Sequence, residues 1–256
     1  MASIRKNPAT ALKVKPTAQP VRRRLTPTDR ERQIVDGAIA FFSEQGLSGQ
    51  LRDLAKQLNI THTLLYHYFP TKQALIKRVY TELFAGRWNP QWEYLLDDSS
   101  LTAEVKLTRF YSEYAAVILK PNWVRIFVFS GLSDRYITDR YFSMLREKLF
   151  PRLVRETRKY RGLISRAKPS ERELELLMGL HGSIFYMGMR RWIYGQTTHN
   201  AKTLVADQDY IRDQVLAYLI SADTVLDTDT TYPNCRIKIR NSIPLTMKDR
   251  PEWPLH

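Results

Sequence analysis

The chain has 256 residues, 43% of them hydrophobic, and a formal net charge of +14. This length is enough to bury a sizeable core in one or two domains. Cys235 is the only cysteine, so an intramolecular disulfide is excluded and a reducing cytoplasm is permitted. The opening sequence MASIRKNPAT has no apolar signal-peptide core, which predicts a cytoplasmic protein. The uncharged and mostly apolar stretch of residues 176–189 is too short to span a membrane and predicts a buried helix.

Positive charge is concentrated in the first third of the chain. Residues 1–80 contain 14 Lys and Arg but only 5 Asp and Glu, a net charge of +9. Within them, residues 1–27 carry four prolines and few large apolar side chains, which predicts a flexible arm. The arm ends in the basic run Arg22, Arg23 and Arg24, which is placed to reach DNA. The charge favours a nucleic-acid partner, although a solvated basic surface is the alternative.

The first helix is predicted to begin where Thr28 and Glu31 form a capping box, with Pro27 just outside it. Gly46 would end this helix with a left-handed backbone. Its buried face would consist of Ile34, Ala38, Phe41 and Phe42.

Residues 46–75 have the pattern of a helix-turn-helix. Apolar residues at i, i+3, i+4 and i+7 predict a short helix with one buried stripe, formed by Leu51, Leu54, Ala55 and Leu58. Asn59 tolerates the left-handed backbone of a tight turn, and the hydroxyl of Thr61 can cap the next helix. That second helix turns Leu65 and Phe69 inward. In such a unit the second helix lies in the DNA major groove.

The outward face of the second helix lacks the charged residues that usually solvate an exposed helix. Its members are polar or aromatic: Thr61, His62, Thr63, Tyr66 and His67. Groups of this kind hydrogen-bond to phosphates and base edges. We therefore favour DNA binding over an ordinary solvated face.

Residues 65–75, LYHYFPTKQAL, resemble the junction of helices 3 and 4 in the tetracycline-repressor (TetR) family of bacterial transcription regulators. Arg52-Asp53-Leu54-Ala55 resembles helix 2 of that family, and the close match covers residues 28–80. Where the family usually has a capping Thr this chain has Gly49, so either Gly49 or Ser48 would cap helix 2. Asn59 and Thr63 replace two further residues that are commonly glycine in the family.

The resemblance implies specific roles for the helix-turn-helix residues. Thr61, Tyr66 and Lys72 would contact phosphates, with Arg52 as a further backbone contact. The residues facing base edges would be His62, Thr63, Leu64 and His67. It also implies an all-α, nucleoid-associated bacterial homodimer that binds a double-stranded DNA operator and a small-molecule effector. The predicted domains are residues 28–80 for DNA, 81–223 for ligand and dimerisation, and a C-terminal tail, 224–256.

The remainder is predicted to be helical to about residue 222. Helix 4 would start near Thr71 and end before Asn89-Pro90. Residues 102–120 are amphipathic, with an apolar face of Val105, Leu107, Phe110, Tyr111, Tyr114 and Ile118. Residues 123–132 fit a strand by pattern alone, but their helical neighbours favour a helix. Three more helices are predicted: residues 134–161, interrupted at Pro151, residues 170–194, and residues 207–220. In the tail, residues 235–240 alternate apolar and basic, which suits an extended segment.

The uncharged stretch within residues 170–194 is apolar on every side and punctuated by glycines, which permit close helix packing. It could lie at the centre of a monomeric bundle. We favour a dimer interface made with the last helix, because a helix-turn-helix regulator reads two half-sites. The predicted interface residues are Gly179, Gly182, Ser183, Tyr186, Tyr210 and Leu216.

Aromatic residues of the central helices are core in any helical protein, but some could line an effector pocket. The candidates are Phe110, Tyr114, Trp123, Arg125, Phe127, His181 and Tyr186. Arg125 lies inside the most apolar element. It could reach solvent, pair with Asp134 or Glu113, or bind an acidic ligand.

No catalytic motif, phosphate-binding loop or metal-ligand spacing is present, so we expect no enzyme activity, cofactor or metal site. The preferred reading is a DNA-binding regulator, in the form of a repressor released from a palindromic operator by a small-molecule effector. The alternative is a ligand-independent regulator whose C-terminal domain only dimerises or binds proteins. An enzyme carrying a helix-turn-helix is the third reading. A closed interior would favour the ligand-independent reading.

Overall fold

A computed structural model describes residues 25–196 and 204–226 of the chain, and every regular element in these two ranges is helical. The all-α prediction is confirmed for this part of the protein. The helices are α1 (Pro27–Gln45), α2 (Leu51–Gln57), α3 (His62–Tyr68), α4 (Lys72–Leu83), α5 (Gln91–Asp97), α6 (Ala103–Ile118), α7 (Pro121–Gly131), α8 (Tyr136–Met144), α9 (Phe150–Tyr160), α10 (Glu171–Trp192) and α11 (Leu204–Leu226). The basic run Arg22–Arg24 and the alternating segment 235–240 lie outside the described residues.

The N-terminal helices form a small unit in which α1 packs on α2 and α4, and α2 packs on α3. Leu54 and Leu65 are completely buried between these helices, as their spacing predicts. α1 also packs along α7, and the buried apolar residues of both parts of the chain form one continuous cluster. The N-terminal unit is therefore joined to the C-terminal helices by a packed interface.

The start of α1 differs from the predicted capping box. Thr26 is the N-cap, and its hydroxyl oxygen accepts a hydrogen bond from the Asp29 N–H at 3.1 Å. Pro27 occupies the first helical position, which is favourable because proline's missing N–H would have no partner there. The prediction that Thr28 and Glu31 cap the helix is wrong, since both lie inside it.

The connection between α1 and α2 depends on two glycines. Gly46 ends α1 with φ of +76°, which confirms its predicted role. The N-cap of α2 is Gln50 and no side chain caps the helix, so the assignment of this cap to Gly49 or Ser48 is wrong. Gly49 is instead required by packing, because a Cβ atom there would lie 2.6 Å from the ring of Phe41.

The C-terminal helices form a bundle in which α6 packs against α5, α9, α10 and α11, while α7 packs against α8 and α10. Residues 123–132 are helical, lying mostly within α7, as their neighbours predicted. Val105 of α6 is exposed, so its predicted place on the apolar face is wrong. Lys106 is buried instead, and its Nζ lies 2.7 Å from the Glu156 carboxylate. A buried ion pair of this kind avoids the penalty of an unpaired charge.

Three helix boundaries differ from the predicted ones. α4 ends at Leu83 and is followed by a short 3₁₀ turn, Ala85–Arg87, rather than continuing to Asn89. A π-helical turn, Leu145–Leu149, separates α8 from α9, so the predicted interruption is confirmed one turn ahead of Pro151. α11 is longer at both ends than predicted. No helix in the described ranges is both long and apolar enough to cross a membrane.

Candidate nucleic-acid interface and interior cluster

The turn between α2 and α3 sets the direction of α3. Asn59 adopts a left-handed backbone with φ of 53°, as predicted, and the Ile60 N–H donates to the Ala55 carbonyl at 3.0 Å. The hydroxyl oxygen of Thr61 then accepts from the Leu64 N–H at 3.1 Å and caps α3. These local bonds fix where α3 begins and which of its faces points outward.

The outward face of α3 is a continuous polar and aromatic surface. Leu65 and Phe69 are buried against the other helices, and Leu64 is half-buried. The rings of His62 and Tyr66 meet edge-to-face with centroids 4.6 Å apart. The exposed members of this surface are Thr61, His62, Thr63, Tyr66 and His67. Apart from the Thr61 oxygen that caps α3, their polar groups face solvent and can meet a charged polymer such as DNA.

Two cations flank α3. Arg52 on α2 is exposed. Lys72 lies in the first turn of α4, where Thr71 caps the helix by accepting from the Ala74 N–H at 3.0 Å. Burial lowers the pKa of Lys72, and the negative charge of Asp134 partly offsets that effect. Lys72 therefore lies between the α3 surface and the connection that follows α7.

Comparison with known proteins agrees with this geometry. Residues 34–79 match the family described as bacterial regulatory proteins, tetR family. The matched range contains α2, α3 and most of α1 and α4. No curated protein sequence matches the chain.

The tetR-type fold extends into the C-terminal helices. A TetR-like transcriptional regulator from Rhodococcus sp. RHA1 superposes with a TM-score of 0.56 at 17% identity, covering 77% of this chain and 99% of that one. A solved structure described as a putative transcriptional regulator from Pseudomonas aeruginosa PAO1 superposes with a TM-score of 0.59 at 17% identity, covering 80% of this chain and 98% of that one. These similarities establish a shared fold for most of the described helices.

Five of the predicted pocket residues come together in the interior of the C-terminal helices: Phe110, Tyr114, Trp123, Phe127 and His181. Tyr114 is the centre of the group. Its hydroxyl hydrogen-bonds to the hydroxyl of Tyr141 and lies 3.3 Å from His181 Nε2. Tyr141 is absent from the predicted pocket, and no local pattern distinguishes it. Only its contact with Tyr114 reveals it.

Burial keeps this interior cluster uncharged. It raises the pKa of Tyr111 and Tyr114 well above the ordinary value and also raises that of Tyr141. It lowers the pKa of His181 to about 4. At neutral pH the tyrosines are therefore phenols and His181 is a neutral imidazole.

Two predicted pocket residues lie elsewhere. Tyr186 is 49% exposed on the surface of α10, so its placement in the pocket is wrong. The Nε of Arg125 donates to the Ser43 carbonyl in the last turn of α1 at 2.5 Å. Its predicted pairing with Glu113 or Asp134 is not found. Glu113 instead pairs with Arg109 at 3.1 Å.

Four of the predicted interface residues, Gly179, Gly182, Ser183 and Tyr186, recur on one face of α10. A Cβ atom added at Gly179 or Gly182 would meet nothing within 4 Å, so the chain itself leaves this face uncovered, while Leu177, Leu180 and Ile184 are buried within the chain. The Ser183 hydroxyl donates to the Leu180 carbonyl at 2.8 Å. Tyr210 and Leu216 are half-buried on α11. Gly188, by contrast, is packed within the chain.

Proposed function

We propose that this protein is a homodimeric transcription regulator that reads a palindromic operator with α3. The observation that carries the proposal is the exposed surface of α3, which presents polar and aromatic side chains on a helix that packs against the N-terminal unit. An α-helix with such a face fits the DNA major groove. The concentration of basic residues in the first 80 positions supplies attraction to phosphates.

Within this proposal each residue has a role. Tyr66, Thr61 and Lys72 position the protein on phosphates, with Arg52 beside them. The base edges are read by His62, Thr63, Leu64 and His67, where the half-buried Leu64 is suited to the methyl group of a thymine. Arg22, Arg23 and Arg24 precede α1 and would extend the contact along the backbone or into the minor groove.

A two-fold dimer explains the exposed face of α10. Gly179 and Gly182 leave room there for a second helix to approach closely, and the neighbouring Tyr186 offers apolar surface. On α11, Ile220 is 59% exposed and adds to the apolar area. Two copies joined through these helices would place two α3 helices on half-sites one helical turn apart, about 34 Å.

An effector would release the dimer from DNA by binding one conformation of the dimer better than the other. The support for an effector is the polar cluster in an otherwise apolar interior, formed by Tyr111, Tyr114, Tyr141 and His181. Burying a polar group in an apolar interior costs free energy unless the group has a hydrogen-bond partner. Repression followed by release is the form of regulation that we propose.

A second candidate is a regulator without an effector. The observation in its favour is the dense packing of the aromatic rings, which leaves a crevice of only about 10 Å³ beside Tyr114 and Tyr141. In that case the C-terminal helices would serve dimerisation alone.

Selection of bound sequences from a random DNA pool tests the proposal. The full chain is expected to enrich a two-fold symmetric sequence, and light scattering is expected to give the mass of a dimer. Repeating the selection with a cell extract should release the DNA if an effector exists. Recovery of random sequences only, or a stable monomer, would overturn the corresponding part of the proposal.

A further inference from the structure

The C-terminal helices carry a surface cleft next to the crevice that reaches Tyr114 and Tyr141. The cleft has a volume of about 640 Å³ and lies between the connection from α4 to α5 and helix α8. Trp88 and Met144 line both the cleft and the crevice, so these two side chains form the partition between them. Beyond the partition, the crevice reaches Tyr114 and Tyr141.

The partition is built from side chains that can move. Met144 is unbranched and adaptable, and it ends α8 just before the π-helical turn. Such turns often accompany functional sites. Trp88 lies outside the helices and is half-exposed. Its Nε1 donates to Glu93 at 3.2 Å, and its ring meets Trp92 edge-on, with centroids 5.4 Å apart. Because the crevice itself has a volume of only about 10 Å³, a ligand can enter it from the cleft only if these side chains move.

Two buried polar atoms without a hydrogen-bond partner in the described part of the chain lie in the aromatic cluster around Tyr114, which lines the crevice. The Tyr111 hydroxyl and His181 Nδ1 are buried and have no hydrogen-bond partner among the described residues. Both side chains are almost completely buried, and both rings lie within about 6 Å of Tyr114. Unpaired buried polar groups are rare because leaving them unpaired is costly.

We propose that the effector is an uncharged, flat and largely apolar molecule with one hydroxyl or carbonyl group. It binds behind Trp88 and Met144 and places its oxygen at the Tyr114 and Tyr141 hydroxyls. This inference rests on the proposed function above, since it names the ligand class of that regulator.

The hydrogen-bond chain from His181 through Tyr114 to Tyr141 can accept either kind of oxygen. If His181 Nε2 accepts from Tyr114, then Tyr141 donates to Tyr114 and its oxygen is free to accept from a ligand hydroxyl. If His181 Nε2 carries the proton, the direction of both bonds reverses and Tyr141 donates to a ligand carbonyl. The imidazole tautomer thus adapts the site to a donor or to an acceptor.

The same cluster selects against a charged group. Tyr111, Tyr114, Tyr141 and His181 are all neutral, and aromatic rings surround them, including Phe110 and Trp92. An ionised carboxylate moved to the Tyr114 and Tyr141 hydroxyls would lose its hydration, and the cation that lines the crevice, Arg87, is itself exposed to solvent. A flat ring system, by contrast, can stack on the aromatic walls once the partition moves.

The experiment compares three probes of one shape: 2-naphthol, naphthalene and 2-naphthoate. Titration calorimetry with the full-length protein is expected to show that 2-naphthol binds most tightly, naphthalene less tightly and 2-naphthoate most weakly. Tyr114→Phe should lower the affinity for 2-naphthol by about tenfold, which is the effect of losing one buried hydrogen bond. The affinity for naphthalene should not change. Tyr94→Phe is the matched control, because this α5 tyrosine is 71% exposed and should change neither affinity. Tyr141→Phe serves as a second variant if Tyr114→Phe does not fold.

Trp88→Ala tests the partition separately. It should speed association of 2-naphthol several-fold in stopped-flow fluorescence while operator binding stays intact.

Each outcome decides a specific part of the proposal. If 2-naphthoate binds as tightly as 2-naphthol, the site does not select against charge. If Tyr114→Phe lowers the affinity for naphthalene as much as the affinity for 2-naphthol, the ligand does not hydrogen-bond to Tyr114. If no probe binds a preparation that still selects its operator, the ligand site fails while the DNA-binding proposal stands. If the probes bind but no operator is selected, the proposed function fails instead.

Discussion

Tyr66 and His67 are neighbours in α3 but are proposed to make different kinds of contact with DNA. His67→Ala should cost about 1–3 kcal/mol on the selected operator and little on random DNA, because base contacts carry the sequence preference. Tyr66→Phe should lower the affinity for the operator and the affinity for random DNA by similar factors, because phosphates carry no direct sequence information. Fluorescence anisotropy on both DNAs measures the difference.

The neighbouring groups supply matched controls for this prediction. Lys72→Ala should behave like Tyr66→Phe, and His62→Ala like His67→Ala. An unchanged sequence preference in both histidine variants would mean that a different face of α3 enters the groove.

Arg125 joins the two parts of the chain. Its guanidinium donates to the Ser43 carbonyl at the C-terminal end of α1, where a cation also interacts favourably with the helix dipole. Arg125→Met keeps the apolar stem but removes this bond, and should lower the free energy of unfolding by about 1–2 kcal/mol. Urea unfolding at fixed protein concentration measures this effect. The exposed Arg146, changed to Met, is the control, and an equal loss there would argue against a special role for Arg125.

At the scale of elements, the glycines of α10 are used in two ways. A Cβ atom at Gly188 would lie 2.8 Å from Val124 of α7, so this glycine permits close packing within the chain. Gly179 and Gly182 have no such neighbour, so their small size gains nothing in an isolated subunit. A glycine inside a helix costs about 1 kcal/mol relative to alanine. Because Gly179 and Gly182 carry this cost without a packing partner in their own chain, we infer that a second chain packs against α10.

Gly182→Leu is therefore expected to break the dimer without unfolding the subunit. Added side-chain volume in a close helix contact costs about 1–3 kcal/mol per subunit, whereas the same side chain has open space in a monomer. Light scattering should show dissociation, and circular dichroism should show an unchanged helix content. Ala116→Leu, on an exposed position of α6, should leave the mass unaltered. A Gly182→Leu protein that remains a full-strength dimer would remove α10 from the interface.

At the scale of the whole molecule, buried His181 makes stability depend on pH. Its pKa is about 4 in the folded protein, below the ordinary value of 6.5, so the unfolded chain takes up this proton first as the pH falls. Stability is consequently lost between about pH 6.5 and pH 4, by up to about 1.4 kcal/mol per pH unit, and this group has no effect above that window.

His181→Phe should remove this part of the pH dependence. The loss of stability between pH 7.5 and pH 5 should be smaller by about 2 kcal/mol in the variant than in the native protein, as measured by urea unfolding. Ala116→Leu, at an exposed position of α6, should retain the native pH dependence. If the free energy of unfolding depends on pH in the same way in His181→Phe and in the native protein, protonation of His181 does not destabilise the fold.

Much of the DNA-binding unit follows from the sequence because its determinants are local. The buried stripe of α2, the left-handed Asn59 and the Thr61 cap each depend on residues within a few positions of one another. Side-chain periodicity then decides which face of α3 is exposed. The predicted cap at Gly49 was wrong because the ring of Phe41 sets the place of this glycine, and the predicted cap at Thr28 was wrong because Thr26, just ahead of Pro27, caps α1.

The interior and the junction between the two parts required the tertiary structure. Tyr114 meets Tyr141 and His181 across 27 and 67 positions of sequence, and Arg125 meets Ser43 across 82. Residues so far apart share no common period, so only the packing angles of whole helices bring them together. The exposed face of α10 was decided in the same way. Its sequence is apolar on every side, and only the positions of α6, α7, α9 and α11 determine which side the chain itself leaves uncovered.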